Sequence, residues 1–156
     1  MNISERQLTW LMRFYPPMLF QRIWVQKIHP GFRQIDVKIN RSLFTNNLGN
    51  SIFGGTLFSA IDPFYALLLG QIMEKKGIPV VVWLKSARID YLKPARTDMH
   101  FSLEISEELI EEAIHHLKKE GKFVKELPAV LYDKNGAQCA TATNEIYLKN
   151  KDFNSP

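Results

Sequence analysis

The chain has 156 residues, of which 46% are hydrophobic and 23% charged, with a formal net charge of +4. This is the profile of one globular domain able to bury its own core, not of a disordered or fibrous chain. The one cysteine, Cys139, excludes a disulfide framework within the chain and any four-cysteine zinc site, while the modest positive charge does not choose between nucleic acid, a membrane surface and a small polyanion.

Ser4 followed three residues later by Gln7 has capping-box spacing, and Leu8, Leu11, Met12 and Tyr15 then recur at helical intervals. Glu5 and Arg6 precede any apolar run, which does not suit a secretory leader. No segment approaches the roughly 18 apolar residues of a membrane span, so a cytoplasmic protein with no membrane partner is expected. Pro16-Pro17 stops the first helix and opens a second short one through Met18, Leu19 and Ile23. "RQIDVKIN" alternates Ile35, Val37 and Ile39 with polar residues, a half-buried strand. After the turn-rich "TNNLGN" comes a long apolar helix, ended by Gly77 and Pro79.

"VVVWLKSARIDYL" is rich in β-formers and is closed by the turn "KPARTD". It makes a good edge to pair with its own copy, so at least a homodimer is expected. "MHFSLEIS" alternates Phe101, Leu103 and Ile105 as another strand. "SEELIEEAIHHLKKEG" reads as a complete surface helix, with Ser106 as cap, acids first, lysines last and Gly121 beyond its end. The remainder is a hairpin turning at Asn135-Gly136, with Pro128 marking an edge position or a bulge in its first arm. A helix apolar all round needs a cover, and the only sheet available is antiparallel. The expected fold is therefore α+β, a curved antiparallel sheet wrapped around a long central helix, with extra helices at the N-terminus.

Asp62 sits in the middle of that apolar helix, where a lone charge is costly unless it is paired or has a task. "Asp-Pro" is a helix-start signature, with Asp as cap and Pro63 at the first turn. The alternative is a site: Thr56, Ser59 and Asp62 fall in one stripe roughly 120° wide, as if lining a polar cleft. Local chemistry leaves both readings open.

"NLGNSIFGGTLFSAID" resembles the central motif of the hot-dog-fold acyl-CoA thioesterases, in the branch of the phenylacetate-pathway and 4-hydroxybenzoyl-CoA enzymes. Their pattern is Asn or Gln, five residues, His-Gly-Gly, six residues, then Asp or Glu. Asn47, Phe53-Gly54-Gly55 and Asp62 keep those intervals, and "IDYLKPARTDMHFSLEIS" is similar to the strand–turn–strand that follows. The combination looks closest to a little-characterised thioesterase-like family within that superfamily. The resemblance spans Phe32 to Lys149. It implies a single hot-dog domain over residues 1–156, made of a 32–149 core and a 1–31 helical extension. The departure is Phe53, where the better-studied enzymes have histidine.

The resemblance implies acyl-CoA hydrolysis with no metal and no cofactor beyond the coenzyme A of the substrate. Gly54 would polarise the carbonyl with Gly55 beside it, Asn47 would support it (Asn46 if the loop is shifted), and Asp62 would be nucleophile or general base. Phe53, Thr56 and Ser59 would border the substrate, while Lys85, Arg88, Lys93 and Arg96 either meet the coenzyme A phosphates or are ordinary solvated charges. Phe53, Phe58, Phe64 and Tyr65 either border an acyl pocket or, the more common case for such residues, belong to the core. The rival class is a non-catalytic acyl-CoA or fatty-acyl binding protein of the same fold. His115 and His116 point about 100° apart on a helix and cannot share a metal on one face. No phosphate loop and no basic-aromatic pattern for nucleic acid is present. A homodimer or a dimer of dimers is expected. Gly54 and Asp62, about 12 Å apart along an ideal helix, meet the geometry of one carbonyl more easily from two subunits.

Overall fold

The apolar stretch that begins at Gly54 is the axis around which the rest of the chain is built. In the computed structural model, which describes residues 3–153, it runs as α3 (Gly54–Ile61) and α4 (Pro63–Lys75), separated only by Asp62. Asp62 keeps helical dihedrals, φ −59° and ψ −58°, so the two segments continue one another. Pro63 has no N–H to give to the Ser59 carbonyl, which breaks the hydrogen-bond ladder there. Phe64, Leu68, Leu69, Ile72 and Met73 are all buried. By length and hydropathy alone, Gly54–Lys75 would cross a bilayer, which corrects the expectation that no segment approaches such a span. More than half of the stretch is buried inside the protein, as befits a core helix.

One antiparallel sheet supplies the cover. Its strands are β1 (Ile23–Ile28), β2 (Gln34–Ile39), β3 (Val80–Tyr91), β4 (Met99–Glu104), β5 (Lys122–Asp133) and β6 (Gln138–Asn150), in the order β1-β2-β4-β5-β6-β3. Alternation sends one side of each strand to the helix. Ile35, Val37 and Ile39 face inward opposite Leu103, Phe101 and Met99, and Phe101 tilts against Phe64 at 6.1 Å. Ala129 pairs with Ala142, both buried, and these small side chains let the sheet close on the helix. Asn144 occupies the same inward phase, wholly buried, and its Nδ2 donates to the Ile61 carbonyl at 2.7 Å. That bond ties the helix to the sheet one residue before Asp62.

The N-terminal part differs from its sequence reading. Its α-helices are α1 (Glu5–Phe14) and α2 (Pro16–Phe20), with a 3-10 turn at Pro30–Phe32, and residues 23–28 are a strand that pairs with β2. A bulge between Val25 and Lys27 puts buried Ile28 out of phase with Ile23 and Val25, which hides the strand from an alternation count. Ser4 caps α1 as expected, its Oγ accepting from Gln7 N and its N–H donating to Gln7 Oε1. Pro128 lies where β5 is bonded to β6 alone, because β4 and β5 pair only at Met99–Asp133 and His100–Tyr132. In that opening the Tyr65 hydroxyl donates to the Pro128 carbonyl at 2.6 Å. Burial, helped by Glu104, pushes Tyr65 up to about 12, so it stays a donor. The helix α5 (Glu107–Lys119) turns Leu109, Ile110, Ala113 and Leu117 inward. At the end of the sheet β3 pairs, among the described residues, only with β6, and its 12 residues form the edge.

Truncating the axis should be expensive. Phe64→Ala is expected to lose about 3–5 kcal/mol in urea unfolding, as deleting a fully buried ring does. A loss below about 1 kcal/mol would contradict the packing of α4 against β4.

Candidate active site

A tied-down loop delivers the chain to Gly54. Asn47 Oδ1 accepts from Ser51 N and from Ser51 Oγ, both at 3.2 Å, and closes the turn. Ile52 N donates to Ala95 O at 2.8 Å and Phe53 N to Thr45 O at 2.7 Å, which fixes the entry angle of α3. Phe53 offers no side-chain cap, and the amides of Gly54 and Gly55 have no hydrogen-bond partner among the described residues. Two free donors at the positive end of an apolar helix form a ready anion-stabilising corner.

Tyr91, at the end of β3, closes this corner. Its hydroxyl donates to the Gly54 carbonyl at 2.8 Å. A Cβ on residue 54 would lie 3.1 Å from the Tyr91 ring and hydroxyl, so glycine is what lets strand and helix start approach. Burial raises the Tyr91 pKa and keeps it a donor. The Phe53 ring folds back into the space a Cβ on Gly55 would need. Asn47, Ser51, Gly54, Leu57, Tyr91 and Lys93 line a groove of about 350 Å³ at this point.

Asp62 lies elsewhere, in a second groove of about 560 Å³ between the helix flank at Ala66 and Leu67 and the other half of β3, at Val82, Trp83 and Leu84. Its helical dihedrals and the lack of any cap hydrogen bond tell against the capping reading. Among the described residues its carboxylate makes no hydrogen bond or ion pair. Burial against the groove pushes its pKa up, although the side chain as a whole is exposed. A carboxylate that is unpaired and less acidic than usual is suited to accept a proton near neutrality.

The remaining candidates divide. Lys93 joins the Gly54 groove, and Arg96 is exposed on the same turn. Lys85 is paired with Glu145 at 2.7 Å and Arg88 with Asp90 at 3.0 Å, so neither is a free cation. Thr56 is buried and Ser59 half-buried, and neither lines either groove; the polar stripe climbs out of the core and only Asp62 reaches open space. Asn46 is half-buried, with its Oδ1 unpartnered, and Asn47 is the one that faces the groove. Phe53 and Phe58 are exposed, whereas Phe64 and Tyr65 are core. Tyr91 and Ser51 went unnoticed in the sequence, where only the place of Tyr91 at a strand end hinted at a role. Elsewhere, His29 Nε2 and Ser102 Oγ both bond Asp36, each at 2.7 Å. The serine therefore has no base, and this is no nucleophile triad.

Comparison with known proteins fits this architecture. A family model described as "Domain of unknown function (DUF4442)" matches residues 4–148. No match is found among curated proteins. A Pseudomonas aeruginosa protein of unknown function, described as a probable thioesterase, superposes with a TM-score of 0.80 at 16% identity, covering 96% of this chain and 98% of its own. A Haemophilus influenzae thioesterase gives a TM-score of 0.69 at 10% identity, covering 100% and 97%. The Escherichia coli PaaI protein of the phenylacetic acid degradation operon gives 0.62 at 14% identity, covering 92% and 95%. These likenesses show that the chain has the fold of these proteins, the hot-dog fold.

The state of Asp62 has a consequence for stability. Its folded pKa is raised, so the folded chain holds the proton more tightly than the unfolded one, and stability falls as pH rises through that window. Asp62→Asn should therefore melt at an equal or higher temperature at neutral pH, and the difference should vanish as the solution is acidified below the unfolded carboxylate range. A lower melting temperature for the variant at neutral pH would return Asp62 to a structural role.

Proposed function

The chain belongs to the family described as Domain of unknown function (DUF4442), and from that premise and its hot-dog fold we propose that it hydrolyses an acyl-CoA thioester to the free acid and coenzyme A. The observation that carries this reading is the pair of unsatisfied groups along one strand: free amides at Gly54 and Gly55 beside Tyr91, and the unpaired Asp62 carboxylate beside Val82 and Leu84. Both border β3, at opposite halves of the edge it forms. Antiparallel pairing of that edge with its own copy makes a homodimer and reverses the strand direction. The Tyr91 end of one subunit then meets the Asp62 groove of the other, and each composite site holds donors and carboxylate together.

In such a site the thioester carbonyl points at the Gly54 and Gly55 amides. Asp62 of the second subunit takes a proton from water as the water oxygen bonds to the carbonyl carbon. The amides hold the resulting oxyanion, a contribution of about 3–4 kcal/mol per well-placed donor. The C–S bond then breaks, and the thiolate leaves with the proton from Asp62. Direct attack by Asp62 through an anhydride uses the same geometry. Asn47 and Ser51 hold the donor loop in place. Lys93 and Arg96 are the cations available to the phosphates, since Lys85 and Arg88 are engaged. Phe53, in the place where the better-studied hot-dog thioesterases have histidine, favours a second reading, an acyl-CoA binding protein without turnover.

A thiol-release screen over short, long and aryl acyl-CoA substrates separates the two. Hydrolysis is expected for at least one class, and Asp62→Asn should cut it by about 10²-fold or more with the fold intact. Saturable binding with no thiol release on any substrate would favour the second reading. Two inactive variants, Asp62→Asn and Gly54→Pro, should complement when refolded together, since half of a random mixture is heterodimer with one intact site in two. About a quarter of wild-type activity is the expected ceiling. No recovery in verified heterodimers would mean that each chain builds its own site.

A further inference from the structure

The N-terminal third of the chain is electrostatically unlike the rest. Residues 1–61 hold seven Lys and Arg against two Asp and Glu, a net +5, while residues 62–156 hold thirteen against fourteen, a net −1. No acid occurs between Arg6 and Ile35. The same segment carries Trp10, Leu11, Phe14, Tyr15, Leu19 and Phe20 exposed on α1 and α2, and Leu43, Phe44 and Leu48 exposed on the loop after β2. Phe20, Leu43, Phe44 and Leu48 are at least three-quarters exposed. Soluble surfaces seldom leave so many large apolar side chains together without a partner.

Ring contacts gather part of this set along the β1 edge of the sheet in two groups. Trp10 stacks on Phe14 at 5.9 Å, and the Arg13 guanidinium lies between the rings of Trp10 and Trp24, at 4.6 and 4.8 Å. At the far end of α2, Arg22 lies over the ring of Phe44 at 5.7 Å, while its carbonyl accepts from Asn40 N. One group thus joins α1 to β1, and the other joins the residue just before β1 to the 43–48 loop. Beside Trp10 a groove of about 480 Å³ is lined by Arg6, Arg13 and Lys27. Its one acid, Glu5, is already held by Lys75 Nζ and Gly31 N, both at 3.0 Å. The other acids of the neighbourhood are taken as well, Asp36 by His29 and Ser102, and Asp98 by Lys38 and Arg41 N.

We propose that this face docks on an anionic lipid surface, with Phe14, Phe20, Leu43, Phe44 and Leu48 entering the interface and Arg6, Arg22 and Lys27 meeting lipid phosphates. Protruding apolar tips ringed by cations and free of unpaired acids match a bilayer interface in both respects. A second copy of the chain fits poorly, because a two-fold contact would set this cationic surface against itself, with its acids already paired. The contact is peripheral and needs no spanning segment, so it revises the expectation of no membrane partner without invoking one. Leu48 adjoins Asn47, which places the face next to the groove at Gly54. The docking itself does not depend on the thioesterase reading.

The test is flotation of the full chain with phosphatidylcholine vesicles in which one third of the lipid is phosphatidylglycerol. Binding is expected at low salt, much weaker with phosphatidylcholine alone and reduced at high salt. Arg22→Glu, and separately the pair Phe20→Ser with Phe44→Ser, should each weaken partitioning at least about tenfold with unchanged melting temperature. If a variant misfolds, hydrogen exchange on the wild type reads the same face: vesicle-dependent protection should fall on residues 10–22 and 41–50. No binding to the anionic vesicles, protection confined to other segments, or folded variants that bind as the wild type does would each overturn the proposal. So would self-association that is lost in the variants without any binding to vesicles, since a second copy would then be the partner.

Discussion

A helix that is apolar around most of its circumference has to be covered, and a single six-stranded sheet is what this chain has to cover it with. That constraint sets the rest. The sheet must curl, so β5 and β6 carry small inward residues such as Ala129 and Ala142. It must also start and stop, and at the β3 end it stops beside the helix without covering the flank from Gly54 to Gly70 completely. The two grooves beside Gly54 and Asp62 are what that incomplete wrap leaves open. Asn144, reaching from β6 to the Ile61 carbonyl, fixes how the break at Asp62-Pro63 is presented to one of them.

Electrostatics follows from the same geometry. Along this helix the amides of the first turn and the Asp62 carboxylate have no protein partner among the described residues. Elsewhere the chain pairs its carboxylates readily: burial pulls Asp36 up, yet its bonds to His29, Ser102 and Gln34 hold it below the usual range. Asp62 is the contrast, raised by burial and compensated by nothing. Polar groups without a protein partner beside a groove are free to meet a ligand, which is what makes them the candidate site.

Much of this was legible in the sequence because period and turn chemistry are local. The central helix, the α5 cap at Ser106, the Asn135-Gly136 hairpin and the alternating strands all announce themselves within a few residues. β1 did not, since one bulge after Val25 breaks the alternation that would mark it. At the site, glycine at 54 was visible as part of a spaced motif, but its cause, the Tyr91 ring at 3.1 Å, arises only when a strand 37 residues away folds against the helix start. The choice between cap and site for Asp62 was likewise beyond local chemistry. Its dihedrals tell against the cap, because a cap leaves the helix and Asp62 does not.

The central claim is that one site takes its donors from one subunit and its carboxylate from the other. The most direct measurement is a crystal structure of the Asp62→Asn protein with an uncleaved acyl-CoA bound. The account predicts a dimer joined along β3, with the thioester oxygen about 3 Å from the Gly54 amide of one subunit and the carbonyl carbon within about 3.5 Å of residue 62 of the other. A thioester held by Gly54 and residue 62 of the same subunit, or bound away from both, would contradict it.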